Sequence, residues 1–340
     1  GEKAILGLAF GTLLGGLLQL VVQFPSLWKV GFRFRPDLRW LDPGVKEVIL
    51  LMIPAVIAGS AVQVNVAVNG NFASHLGDGP VSWLQYAFRL MQLPLGMFGV
   101  AVGTVTLPVV ARFAAENDYG GIRNTLARGL RLGSLLTMPA AVGLFFLAEP
   151  IMSLIFERGR FTHFDALQSA AALKFYAIGL VAYSGIKVIV PTFYTINRKN
   201  MPMYVSFFSI AVNYFLNVLI TFRLGFGFRG LALSTSLVAI INFTILYLLL
   251  RRYIGGLASR SLIVAFGKLV LACVPLTLVC LAAQYTVFRN LETMAFFPKV
   301  FGMASTIFAG MVVFFGTVAL LRIEEMNDVL RILKRKLGKA

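Results

Sequence analysis

Apolar residues along this chain come in long unbroken runs rather than in alternation or in one-sided stripes. Nine such runs are separated by short polar stretches: 4–24, 46–73, 81–107, 132–156, 166–195, 202–222, 230–250, 261–287 and 298–321. A helix rises about 1.5 Å per residue, so about 20 apolar residues cross a hydrocarbon core about 30 Å thick. The short alternating segments of a membrane β-barrel are missing. The pattern therefore predicts an all-α, polytopic membrane protein with nine transmembrane helices.

The breaks between runs divide the chain into three blocks. Residues 1–43 hold one helix and a basic loop, 44–255 hold six spans, and 256–340 hold two more spans and a basic tail. The longest internal connection, 108–131, suits a short amphipathic helix at the membrane surface from residue 119 on. The tail 323–340 suits the same role, with Met326, Leu330 and Leu333 at helical spacing. Pro54, Pro94, Pro139, Pro191 and Pro275 fall in or near span interiors. Each removes a backbone donor and predicts a kink of the kind transporters use, although other membrane proteins use such kinks as well.

Composition agrees with the pattern. Hydrophobic residues make up 58% of the 340-residue chain, charged ones 13%, and the mean hydropathy is +0.82. A wetted soluble surface needs about 25% charged residues. The formal charge of +17 changes meaning once its positions are read. Taking the loop after the first span as cytoplasmic, twenty of the 31 basic residues fall in loops and tail on that side, and seven on the other. Basic loops stay inside, so the N-terminus is expected outside and the C-terminus in the cytoplasm. The charge then reflects topology and anionic lipid headgroups, and no nucleic-acid module is needed. With an external N-terminus and an odd number of spans, the chain reads as a piece of a longer protein. Cys273 and Cys280 lie seven apart in one span, as small apolar residues, with no disulfide framework or CxxC metal motif.

Soluble-type catalytic motifs are absent. His75 and His163 fall in loops, and no GxSxG, HExxH or P-loop is present. A membrane enzyme on polyprenyl phosphates would need clustered acids, His or Ser, and the outer loops offer only a scattered Glu157, Arg158, Arg160, His163 and Asp165. The chemistry lies in polar residues at membrane depth. Arg89 shares a helix face with Gln85 and Gln92, at i−4 and i+3. A guanidinium at that depth costs about 2.5–3.5 kcal/mol against lipid, so it is expected to line a cavity and bind phosphate, or else to snorkel or pair structurally. Lys187 is a second intramembrane cation, for the same anion or for carbonyls freed by Pro191, while Lys268 is expected to snorkel. A third set is amide-rich: Gln63, Asn65, Asn69 and Asn71 in one span, and in another Asn213 and Asn217, which share a face at i and i+4. The substrate-binding candidates are Arg89, Gln85, Gln92, Lys187, Gln63 and Asn65. Asn69, Asn213, Asn217 and Thr235 form either interhelical hydrogen bonds or a monovalent-cation site without a carboxylate; no other cofactor and no metal is expected.

Several stretches together resemble the MurJ (MviN) lipid II flippases of the multidrug/oligosaccharidyl-lipid/polysaccharide exporter superfamily. These are GGLLQLVVQFPSLWKVG, MIPAVIAGSAVQVNVAVNGNFAS, VSWLQYAFRLMQLPLGMFGVAVGTVTLPVVARFAA, FERGRFTHFDA and GIKVIVPTFY. The resemblance implies a fourteen-helix template on which this chain starts at the sixth helix. It supplies the last helix of an N-lobe, a six-helix C-lobe and a final pair that forms a groove for a polyprenyl tail. It further implies a bacterial inner-membrane, monomeric transporter, not an enzyme, that moves lipid II across the bilayer by alternating access. Arg89 matches the C-lobe arginine of the family's cationic cavity. Some relatives have an acid directly before this arginine and a Glu three residues after it; this chain has Phe88 and Gln92. A related polysaccharide-lipid or multidrug exporter is the alternative on the same scaffold. A chain with one complete lobe is expected not to flip lipid by itself.

Overall fold

The computed structural model describes residues 2–31, 42–257, 259–323 and 325, and among these every regular element is helical. The chain forms α1 (Glu2–Lys29), α2 (Pro43–Ser74), α3 (Pro80–Pro94), α4 (Ala101–Ala115), α5 (Tyr119–Phe146) and α6 (Ala148–Phe156). There follow α7 (His163–Thr195), α8 (Asn200–Leu216), α9 (Phe228–Tyr253), α10 (Ser259–Thr286) and α11 (Phe296–Leu320). Eight helices are long and apolar enough to cross a bilayer, among the described residues. The ninth predicted run, 46–73, falls in α2, a helix of 32 residues, and its crossing stays an expectation. Contacts divide the chain into two units, Gly1–Met52 and Ile53–Ala340. The first holds α1 and the start of α2; everything below concerns the second.

Two predicted boundaries change. The 108–131 connection shrinks to residues 116–118, because α4 carries Pro108 within it and Asp118 caps α5, its side chain accepting from the Gly121 N–H at 2.9 Å. The expected surface helix from residue 119 is the first part of the continuous 28-residue α5. The run 132–156 is two helices, broken at Leu147. Pro150 has no N–H to give the Phe146 carbonyl one turn earlier. Gln284 of α10 donates to that carbonyl instead. The tail reading falls on residues that, apart from Ile323 and Glu325, lie outside the described ones.

Helix α7 is the hub. It contributes sixteen buried residues and packs against α3, α5 and α9. Close approach comes from small residues, as lipid supplies no drive to bury apolar surface. A Cβ on Gly103 of α4 would lie 2.6 Å from the Lys187 carbonyl of α7. Ser236 of α9 donates to the Phe175 carbonyl of α7 at 2.7 Å.

The terminal pair is not a separate block. Leu269, Cys273, Leu276 and Phe314 share an apolar core with Leu135 and Met138 of α5. Polar clips hold both rims: Arg131 pairs with Glu325, Lys268 Nζ donates to the Leu321 carbonyl at 2.9 Å, and Lys299 Nζ donates to Ser153 Oγ at 2.9 Å. Lys268, expected to snorkel, caps the end of α11 instead.

Two π-helical turns interrupt the bundle. One, Leu95–Val100, follows Pro94; the other, Asn217–Arg223, starts at the second asparagine of the amide pair. Wide turns of this kind favour functional positions, because they open the backbone and re-aim side chains.

Candidate functional site

The four residues of the candidate cation site come together from three helices. Asn69 of α2 donates from Nδ2 to Thr235 Oγ1 of α9 at 2.8 Å. Asn217 Nδ2 donates to Asn69 Oδ1 at 2.7 Å and to Asn213 Oδ1 at 3.1 Å. Ser234, which the pattern of the sequence did not single out, donates to Asn217 Oδ1. Thr235 also returns a hydrogen bond to the Leu231 carbonyl one turn back, and the single Ser234 proton is shared between Asn217 Oδ1 and the Gly230 carbonyl. All five side chains are buried, Asn213, Asn217 and Ser234 completely. Each of the three carboxamide oxygens therefore already accepts from an N–H or O–H.

Beside this cluster lies a cavity of about 430 Å³ walled by α2, α3, α7, α8 and α9. Asn69 and Thr235 belong to its wall, as do Asn65, Gln85 and Lys187. Asn65 Oδ1, Ser209 Oγ and Asn242 Oδ1 are buried, have no hydrogen-bond partner and belong to residues of this wall. Buried polar atoms in native folds are nearly always paired, so these three call for hydrogen-bonding contents in the cavity.

The substrate-binding candidates divide. Gln85, Lys187 and Asn65 line the cavity; Arg89, Gln92 and Gln63 do not. The reason for Arg89 is helical phase. Leu84, Ala87 and Met91 form the buried stripe of α3, and Gln85, Arg89 and Gln92 form an exposed stripe turned away from it. Arg89 therefore does not line this cavity: it lies on the exposed face of this unit, with Gln85 at the junction of stripe and cavity. Among the described residues, Arg89 and Lys187 have no ion-pair partner. The outer residues read as scattered are partly gathered: His163 Nδ1 lies 3.3 Å from Glu157 Oε2. The chain folds back at the α6–α7 connection, which spacing alone does not reveal.

The fold and the membrane-depth polar groups define a class before a family, that of polytopic helical membrane proteins. An outward-facing multidrug resistance MATE family transporter of the MOP superfamily superposes with a TM-score of 0.54 at 17% identity, covering 80% of this chain and 64% of its own; this shows the fold alone. The family is narrower. The profile described as "Lipid II flippase MurJ" matches residues 1–302, and the chain belongs to that family. The probable lipid II flippase MurJ of Vibrio cholerae is 38% identical over 246 residues, which are 72% of this chain and 46% of that protein. A solved lipid II flippase MurJ in an inward closed conformation superposes with a TM-score of 0.63 at 25% identity, covering 88% of this chain and 59% of its own. The chain spans about half the length of curated relatives such as these.

Proposed function

We propose that this chain takes part in moving lipid II, a polyprenyl-pyrophosphate-linked peptidoglycan precursor, from the inner to the outer leaflet of the bacterial inner membrane. The observation that carries the reading is the stripe Gln85–Arg89–Gln92. It is an exposed polar face on a membrane-crossing helix, with a guanidinium that has no protein carboxylate among the described residues to neutralise it. Family membership and the flippase names of the relatives supply the substrate class.

The chemistry follows from the residue types. A planar guanidinium grips two phosphate oxygens at once, and the flanking carboxamides donate to others. The reaction makes and breaks no covalent bond, so these groups only bind, release and shield charge while the bundle moves. The polyprenyl tail runs along α10 and α11, whose outer residues are apolar (Phe297, Phe301, Phe308). The excess of basic residues in the loops on one side supports a cytoplasmic C-terminus. The amide cluster serves this reading as a helix lock. A monovalent cation there would have to displace donors from all three carboxamide oxygens.

Binding of a fluorescent polyprenyl-pyrophosphate lipid to the reconstituted chain tests the proposal. Arg89→Ala should weaken binding about tenfold to hundredfold, the usual worth of hydrogen bonds to a charged group. Arg89→Lys should fall between, since it keeps the charge and loses the fork. Unchanged affinity in Arg89→Ala overturns the assignment.

A further inference from the structure

At the rim opposite the basic loops, four ionisable groups from four segments meet. His163 is the first residue of α7, Glu157 closes α6, Glu292 sits on the short turn Leu291–Thr293 between α10 and α11, and Lys299 lies in the first turn of α11. His163 Nδ1 is 3.3 Å from Glu157 Oε2, and His163 Nε2 is 3.3 Å from Glu292 Oε1. Lys299 Nζ is 3.9 Å from the same Glu157 oxygen. The imidazole thus stands between two carboxylates, one at each ring nitrogen.

This arrangement suits only one protonation state. A neutral imidazole has one N–H and one bare lone pair, so one nitrogen would face a carboxylate oxygen, lone pair to lone pair. An imidazolium donates from both. The carboxylates approach opposite ring nitrogens, so they do not converge on a common metal position. Among the described residues no group of three or more His, Cys, Asp or Glu is arranged to hold a metal ion.

We propose that His163 is a proton-controlled latch that ties the α10–α11 connector to the six-helix body at its outer rim. When protonated it bridges Glu157 and Glu292; when neutral it can hold only one of them. Glu292 is 74% exposed and so screened by solvent, whereas Glu157 is 19% exposed and keeps Lys299 in both states. The contact to Glu292 is therefore the one that breaks. Phe288 and Leu291 remain buried anchors of the connector, so the effect is local loosening rather than undocking.

The surrounding charges leave His163 as the switching group. Burial pulls the Glu157 carboxyl upward, but hydrogen bonds from Ser153 and His163 and the Lys299 charge outweigh it and hold the carboxyl below its usual value of 4.5. Its contribution is present above that value and is lost only as pH falls through the lower folded one. An imidazolium contact has the opposite sign: it is present at low pH and lost as the ring gives up its proton. Asp165, two residues along α7, is taken by Trp83 Nε1 at 2.8 Å and by the Thr162 cap. Arg158, Arg160 and Arg289 on the two connectors are exposed. In the orientation proposed above, the latch senses acidity outside the cell.

The test uses the 340-residue chain in lipid vesicles, with Cys273 and Cys280 replaced by alanine and a spin label on Asn290→Cys. The ratio of restrained to mobile label should fall about tenfold between pH 5.5 and 8.5, the factor for one charge-assisted hydrogen bond of ordinary strength. Glu292→Gln and His163→Gln should each abolish the pH response and leave the label mobile at both values. Glu292 is exposed, so its substitution spares the fold. A wild-type spectrum that does not change with pH, or a response that survives Glu292→Gln, overturns the latch. The readout needs no transported lipid, so its failure is distinct from failure of the Arg89 assignment.

Discussion

Two sets of polar residues on the spanning helices of this bundle meet opposite fates. The neutral amides Asn69, Asn213 and Asn217 bury themselves and bond to one another, while Arg89, Gln85 and Gln92 form an exposed stripe on α3. The difference follows from chemistry. A carboxamide is donor and acceptor at once, so a few of them close a network without any other group. A guanidinium only donates and cannot lose its charge, so it needs an acid or a ligand. Phe88 and Gln92 supply no acid. Asn69, Asn213 and Asn217 thus lock helices together, while the Arg89 guanidinium is left on the exposed face of the unit.

The largest effect expected from this contrast is on stability, at the centre of the amide network. Asn217 bonds to Asn69, Asn213 and Ser234 across three helices. Interhelical hydrogen bonds in membranes average about 0.6 kcal/mol, and a buried partner left unpaired adds to that. Asn217→Leu should therefore destabilise the bundle by about 2–3 kcal/mol in a denaturant titration in detergent. A loss below about 0.5 kcal/mol would mean that the network does not hold the helices.

Which parts of this were legible in the sequence has a physical answer. The apolar runs predicted the spanning helices because length and hydropathy decide membrane crossing. Asn213 and Asn217 were legible as a pair because a spacing of four puts them on one face. Helix ends were not. The break at Leu147 depends on Pro150 and on Gln284, a partner from α10 far along the chain. The same limit hid the outer cluster: Glu157 and His163 looked scattered, and Lys299, from far along the chain, is buried against Ser153. Arg89 was found by its cost in lipid, but the side it faces depends on the buried stripe of Leu84, Ala87 and Met91, which only packing reveals.

A smaller effect is expected at the edge of the amide network. Asn213 accepts one long bond from Asn217, and its own Nδ2 is buried without a partner. Asn213→Leu removes that bond and that orphan donor together, and Asn217 keeps its bond to Asn69. The two terms oppose each other, so the change should stay within about 1 kcal/mol of zero, with either sign. If Asn213→Leu matched the loss in Asn217→Leu, the cluster would act through all of its amides equally, as a ligand shell would.

The smallest stability effect is expected where the functional effect is greatest. Arg89 is exposed, and among the described residues it has no hydrogen bond or ion pair to lose. Arg89→Gln removes the charge and retains a polar side chain of similar reach. Substitutions on an exposed face away from caps and networks shift stability by no more than about 0.5 kcal/mol, so the unfolding midpoint of Arg89→Gln should match that of the unmodified chain. Affinity for the pyrophosphate lipid should meanwhile fall as it does in Arg89→Ala. A loss comparable to that of Asn217→Leu would place Arg89 among the groups that hold the bundle together and erase the contrast between the two regions. Unchanged stability with lost binding would separate the residues that build this scaffold from the one that meets the substrate.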